Sequence, residues 1–125
     1  MLKNLSLAAA VLLACASSMA FAAPAKVADS AKGKVLVDSQ GMTLYTFAKD
    51  SAGKSVCSGQ CLANWPAFTA SAAAKDADGY TVITRDDGSK QWAYKSQALY
   101  TWVKDSKPGD ITGDGVGGNW NLAKP

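Results

Sequence analysis

The chain has 125 residues, with 13 basic and 10 acidic side chains, no histidine and a net charge of +3. The absence of histidine removes the commonest general base, the commonest metal ligand and c-type haem attachment. So small a charge, without a basic cluster, argues against nucleic acid or anionic lipid as a partner. All ten acids are aspartate, a residue of turns and caps, so long helices are not expected beyond the leader.

Residues 1–22 read as an export signal. Lys3 is the charged start, Leu5 to Ala16 the apolar stretch and Ala20-Phe21-Ala22 the small-x-small cleavage site, which makes Ala23 the first mature residue. The apolar stretch is shorter than the roughly 20 residues a membrane span needs. An alternative reading takes Leu12-Leu13-Ala14-Cys15 as a lipobox, with lipid on Cys15. The expected location is therefore the periplasm or the exterior, with a membrane tether only if Cys15 is lipidated. What remains after cleavage suffices for one hydrophobic core and not two.

Residues 23–32 are small, polar and aperiodic, and read as a flexible leader to a β domain over 33–125. Val35-Leu36-Val37 and Thr43 to Phe47 are β-branched and aromatic runs around Asp38-Ser39-Gln40-Gly41, which predicts a hairpin. Tyr80–Thr84, Lys90–Tyr94 and Ala98–Val103 follow the same pattern, with turns at 86–89 and 95–97, and predict a three-stranded meander. Between the two, Ala70 to Ala77 is an alanine-rich connector. The expected fold is all-β, a small single domain of antiparallel hairpins with little helix outside the signal peptide.

The two halves repeat. Leu44-Tyr45-Thr46-Phe47-Ala48-Lys49-Asp50-Ser51 returns as Leu99-Tyr100-Thr101-Trp102-Val103-Lys104-Asp105-Ser106, an offset of 55 (44 to 99) that also relates Trp65 to Trp120. Repeat one covers about 33–70 and repeat two about 85–125. Side chains two apart on a strand share a face, so Tyr45 projects with Phe47 and Tyr100 with Trp102, while Leu44 and Leu99 point the other way. Asp50 and Asp105 stand where each strand stops, placed to accept hydrogen bonds from the turn that follows. Core packing is the expected role of the aromatics, with ring stacking on a ligand as the functional rival.

Cys57-Ser58-Gly59-Gln60-Cys61 is the sharpest local feature. In an oxidising compartment Cys57 and Cys61 are expected to pair, and residues four apart on one helical turn lie within disulfide reach. A loop this short stabilises by about 2 kcal/mol. The rivals are a redox-active pair and a Cu(I) site with Met42 as third ligand. Asp110, Thr112 and Asp114 match the first half of a calcium loop, but Asn121 stands where a bidentate glutamate is needed, so the segment reads as a glycine-rich turn. Without histidine no standard serine triad forms. No catalytic residue and no cofactor is assigned.

Gly41 to Asp50, Ser55-Val56-Cys57, Cys61 to Pro66, Asp87-Gly88 with Gln91 to Tyr94, Leu99 to Asp105, Pro108-Gly109-Asp110 and Trp120 together resemble one bacterial family, the secreted-repeat proteins, described as predicted lipoproteins with a Tyr-x-aromatic-x-x-Asp motif. The resemblance implies an exported envelope protein and no particular reaction. The sequence is thus read as a non-enzymatic module that binds an unknown envelope partner or small ligand. A thiol or copper redox accessory factor using Cys57 and Cys61 is the alternative.

Overall fold

Tyr45 and Tyr100, the same residue of the two repeats, face each other across an antiparallel bridge. Each backbone N–H donates to the other's carbonyl, at 2.8 and 3.0 Å. A residue that pairs with its own copy lies on a two-fold axis, so this bridge marks a pseudo-dyad relating the halves. The computed structural model describes residues 23–125; the signal segment and Cys15 lie outside the described residues.

Around this bridge the chain forms β1 (Lys26–Ser30), β2 (Gly33–Val37), β3 (Tyr45–Phe47), a five-residue helix α1 (Gln60–Asn64), β4 (Tyr80–Thr84), β5 (Lys90–Tyr94), β6 (Gln97–Ala98), a 3₁₀ turn at Val116–Gly118 and β7 (Trp120–Leu122). The strands make three antiparallel sheets, β1-β2, β3-β7 and β4-β5-β6. The architecture is all-β, as composition and pattern predict, and the meander is present. Its third strand is short, because Tyr100 leaves β5 to bridge Tyr45 and Ala67. The two-residue turn before β6 places Lys95 and Ser96 at positive φ (49° and 73°), the backbone that matches the twist of a tight hairpin.

Two expectations are corrected. Residues 26–30 are not an irregular leader; they form β1 and pair along their length with β2. The alternation that would have shown this is muted, since small Ala25 and Ala28 face the interior while the large Val27 faces solvent. Likewise β2 and β3 are not a regular hairpin. They touch at the Val37–Thr43 bridge, and β3 then pairs with β7 from the other end of the chain.

That exchange is reciprocal. The end of repeat two closes a cycle of backbone bonds in repeat one, Leu36 N–H to Ala123, Ala123 N–H to Leu44 and Leu44 N–H to Leu36, each 2.9 Å. Phe68, at the end of repeat one, closes the same cycle with Trp92 and Leu99 in repeat two, at 2.9 to 3.0 Å. Neither repeat completes its own sheet.

The phrase therefore divides its side chains between two core clusters, each shared by both repeats, rather than the one core that chain length predicts. Tyr45 and Tyr100 join one cluster with Trp65, Trp120, Cys57 and Val35. Leu44 and Leu99 join the other with Leu36, Tyr80, Ala25 and Ala123. In the first cluster Trp65 stacks on Trp120 at 3.8 Å and 2°, Phe47 stacks on the outer side of Trp120 at 4.3 Å, and Trp102 on the outer side of Trp65 at 4.0 Å. Tyr45 meets Trp65 edge-on and Tyr100 meets Trp120 edge-on. The four-ring stack obeys the pseudo-dyad, and its members supply the apolar area that three short sheets cannot.

Candidate functional site

The aspartates of the repeated phrase act across the dyad. Tyr45 donates its hydroxyl to Asp105 Oδ2 at 2.7 Å, and Tyr100 donates to Asp50 Oδ2 at 2.6 Å, so each repeat's tyrosine is held by the other repeat's carboxylate. The second oxygen of each aspartate ties down the following loop: Asp50 Oδ1 accepts from the Val56 N–H, and Asp105 Oδ1 from the N–H and hydroxyl of Thr112. The Tyr-x-aromatic-x-x-Asp motif is thus a clasp between repeats, with the intervening aromatic in the ring stack.

Burial and the bond to Asp105 push the Tyr45 hydroxyl far above its usual range; burial and Asp50 do the same for Tyr100, and burial with the neighbouring Tyr94 raises Tyr80. An unfolded tyrosine ionises near pH 10. The stabilisation carried by these raised groups is therefore whole below about pH 10 and is lost as pH rises above it. Ultraviolet titration is expected to show Tyr45 and Tyr100 ionising late and together with loss of β-sheet circular dichroism. Ionisation of every tyrosine near pH 10 with the fold intact would contradict the clasp.

The two clasps differ in what stands behind the tyrosine. In repeat two the Gly113 N–H donates to Tyr45 Oη at 3.1 Å, and the glycine lies flat on the rings of Trp65, Tyr45 and Trp102. In repeat one the Ser55 hydroxyl contacts Tyr100 Oη and accepts from Arg85 Nη1 at 2.6 Å. Arg85 Nη1 also donates to Gln91 Oε1 at 2.8 Å, and Nη2 to the Cys57 carbonyl. Gln91 is fully buried and holds the Leu99 carbonyl with its amide. Asp50 is the carboxylate end of this chain. Its pKa is raised by burial, against the lowering influence of Tyr100, Val56 N–H and Arg85.

Beside this network opens a cavity of about 430 Å³ lined by Lys54, Ser55, Val56, Ser58, Gly59 and Arg85, with Leu62, Asp86 and Asp87 completing it. The Arg85 Nε–H is buried and has no acceptor among the described residues. Leaving such a donor unpaired costs about 1–3 kcal/mol. The position 55 before Arg85 is Ser30, whose hydroxyl merely closes its own hairpin turn on the Gly33 carbonyl. The Tyr45–Asp105 clasp therefore forms with no guanidinium behind it. The arginine is an addition to one repeat, and the fold has an internal copy that does without it.

The predicted residues fall into place unevenly. Cys57 and Cys61 form a disulfide, with Cα atoms 5.3 Å apart, on the loop and first turn of α1 beside the cavity. Cys57 is 1% exposed, and both sulfurs are bonded, so neither is a thiolate. Met42 packs with neither core cluster; it sits in the turn closed by Asp38, which accepts from its N–H. Asp110, Thr112 and Asp114 do not converge. Asp110 caps the 106–110 turn and pairs with Lys107, Thr112 donates to Asp105, and Asp114 pairs with Lys32 at 2.7 Å. Tyr45, Phe47, Asp50, Trp65, Tyr100, Trp102, Asp105 and Trp120 are all brought together at the dyad. Ser55 and Gln91 stand in the family pattern but are given no role by the sequence, and Arg85 is not singled out at all. One signal was available: Arg85 is the single arginine among 13 basic residues.

Comparison with known proteins agrees with this two-fold plan. A family model described as a secreted repeat of unknown function matches residues 26–69 and again residues 81–124, segments once more offset by 55 (26 to 81). No curated protein and no solved structure matches the chain. The first match begins at β1, which places that strand inside the repeat. The chain belongs to this family of secreted repeats.

Proposed function

We propose that the protein is an exported, non-enzymatic binding module of the periplasm, cleaved after Ala22, that receives a small ligand in the cavity between Arg85 and α1. One observation carries this reading. Where two halves built on one plan part company, repeat one has a half-open cavity beside the Ser55–Arg85 network, while repeat two packs Gly113 against the rings of Trp65, Tyr45 and Trp102. A purely structural repeat has no need of that difference. Pockets that bind small molecules combine apolar wall with a few placed polar groups, and here Val56 and Leu62 supply the first and Ser55, Ser58 and Arg85 the second.

Native mass spectrometry of protein purified from its own envelope tests the proposal. The expected spectrum shows a chain beginning at Ala23 and a retained small molecule that is lost on denaturation. Added back at about 100 times its dissociation constant, that molecule should stabilise the fold by about 2.7 kcal/mol. A lipid mass on Cys15 overturns the periplasmic assignment. A chain with no retained molecule, whose melting point no compound of a small-molecule panel raises, overturns the binding role.

A further inference from the structure

We infer that the ligand of this cavity carries an oxyanion, a carboxylate or a phosphate, and that Arg85 is the residue that receives it. The inference rests on the cavity being a binding site and adds the chemistry of what binds. A guanidinium has five N–H donors. Arg85 uses three of them within the protein, to Ser55, Gln91 and Cys57. One is the Nε–H, buried and unpartnered, and the other is on Nη2, the nitrogen beside it on the planar group; neighbouring donors of this kind suit the two oxygens of a carboxylate or phosphate.

The three bonds already made fix the guanidinium and so remove the ordering cost that a free arginine would carry into binding. Two of the three acceptors are neutral side chains and the third is a carbonyl, so the positive charge is oriented without being neutralised by direct contact. Asp50, half-buried at the far end of the network, spends its oxygens on Tyr100 and Val56. Lys54 adds a second cation on the cavity wall. Its partner there is Asp86, 3.6 Å away and almost wholly exposed, while Asp87 is turned to the N–H and hydroxyl of Ser89. These two rim carboxylates offset the charge of the two cations, so recognition of an oxyanion rests on the oriented Arg85 donors rather than on net charge. Ser58, on the same wall, supplies a neutral hydroxyl.

Amide and arginine side-chain NMR spectra of the mature protein, titrated separately with inorganic phosphate and with acetate at constant ionic strength, test this. Saturable shifts are expected at Val56, Ser58, Gly59 and the Arg85 Nε–H for at least one of the two, and which anion saturates first distinguishes phosphate from carboxylate ligands. Arg85→Gln should weaken that binding at least tenfold, and Arg85→Lys nearly as much, because lysine keeps the charge and loses the two-donor edge. Lys32→Gln, which removes a cation at the other clasp, where Lys32 pairs with Asp114, should leave it unchanged. Circular dichroism and melting of each variant separate lost binding from lost fold. Shifts that never saturate, that chloride reproduces, or that persist in a folded Arg85→Gln overturn the assignment. Titration with acetamide, a neutral probe of acetate's shape, separates the two readings. Saturation by acetamide equal to that by acetate removes the oxyanion and leaves the cavity as a binding site; no response to any probe removes both.

Discussion

Replacing either central tryptophan with alanine, Trp65→Ala or Trp120→Ala, is expected to cost about 3–5 kcal/mol, out of a total stability of about 5–15 kcal/mol for a domain of this kind. The two rings lie parallel at 3.8 Å on the pseudo-dyad, each only 4–5% exposed, and each supports an outer ring and an edge-on tyrosine. Losing Trp65 removes the surface on which Trp102 stacks and against which Tyr45 stands; losing Trp120 does the same to Phe47 and Tyr100. Because the arrangement is symmetric, the two variants should be destabilised by similar amounts. Urea denaturation followed by circular dichroism measures both. Trp102→Ala, at a half-buried end of the stack, should cost clearly less. A Trp65→Ala variant that unfolds at the parent's urea concentration would show that the stack is a surface ornament, and a large inequality between Trp65→Ala and Trp120→Ala would break the symmetry argument.

The clasp gives the same symmetry a polar component. Tyr45 and Tyr100 are fully buried, and each hydroxyl must find an acceptor or leave a desolvated donor. The carboxylates that accept stand at the start of the loops that the same residues then order, so one aspartate joins strand, loop and opposite repeat. This explains why the conspicuous phrase has tyrosine and aspartate at fixed spacing: the spacing places the carboxylate across the axis from the copied tyrosine. Copying the phrase supplies donor and acceptor together.

Much of this could be read from the chain before the fold was in view, and the limits have physical causes. The 55-residue offset shows two halves that must bury their apolar faces together, and the strand period sorts Tyr45 from Leu44 into the two clusters. Cys57 and Cys61 are legible from spacing and compartment. Strand exchange is not legible, because hydrophobic pattern marks which residues are buried and says nothing of which repeat buries them. β1 is hidden because the residues it turns inward, Ala28 and Ser30, and the buried Ala25 just before it are all small. The Arg85 network is hidden for a different reason. A turn of the form Arg-Asp-Asp-Gly-Ser reads as solvent-exposed, and only the longer loop of the β4–β5 hairpin, residues 85–89 against 31–32 in its counterpart, carries the guanidinium to Ser55 and Gln91.

Gly113→Ala should be the most costly single methyl added to this protein. A Cβ at that position would stand 2.8 Å from Trp65, 2.9 Å from Tyr45 and 3.0 Å from Trp102, distances that real side-chain carbons do not adopt. None of the three rings can yield cheaply. Trp65 is held between Trp102 and Trp120, and the Tyr45 ring is tethered by its hydroxyl to Asp105 while accepting the Gly113 N–H. The loop must therefore lift, which strains the Thr112 bonds to Asp105 as well. Overpacking of this sort costs about 1–3 kcal/mol, and the stiffening of the unfolded chain by alanine returns only about 0.4–1 kcal/mol. In a domain of this size each net kcal/mol lowers the melting point by about 4–8 °C. The counterpart 55 positions earlier is Ser58, exposed on the cavity wall, and Ser58→Ala should change stability by no more than about 0.5 kcal/mol. Thermal melts of the two variants measure the asymmetry of the repeats directly. Equal melting points would mean that repeat one's loop is packed as tightly as repeat two's, and the cavity would then have no standing as the place where the copies diverged. A wide gap would show that packing leaves a freedom beside Ser58 that it denies beside Gly113.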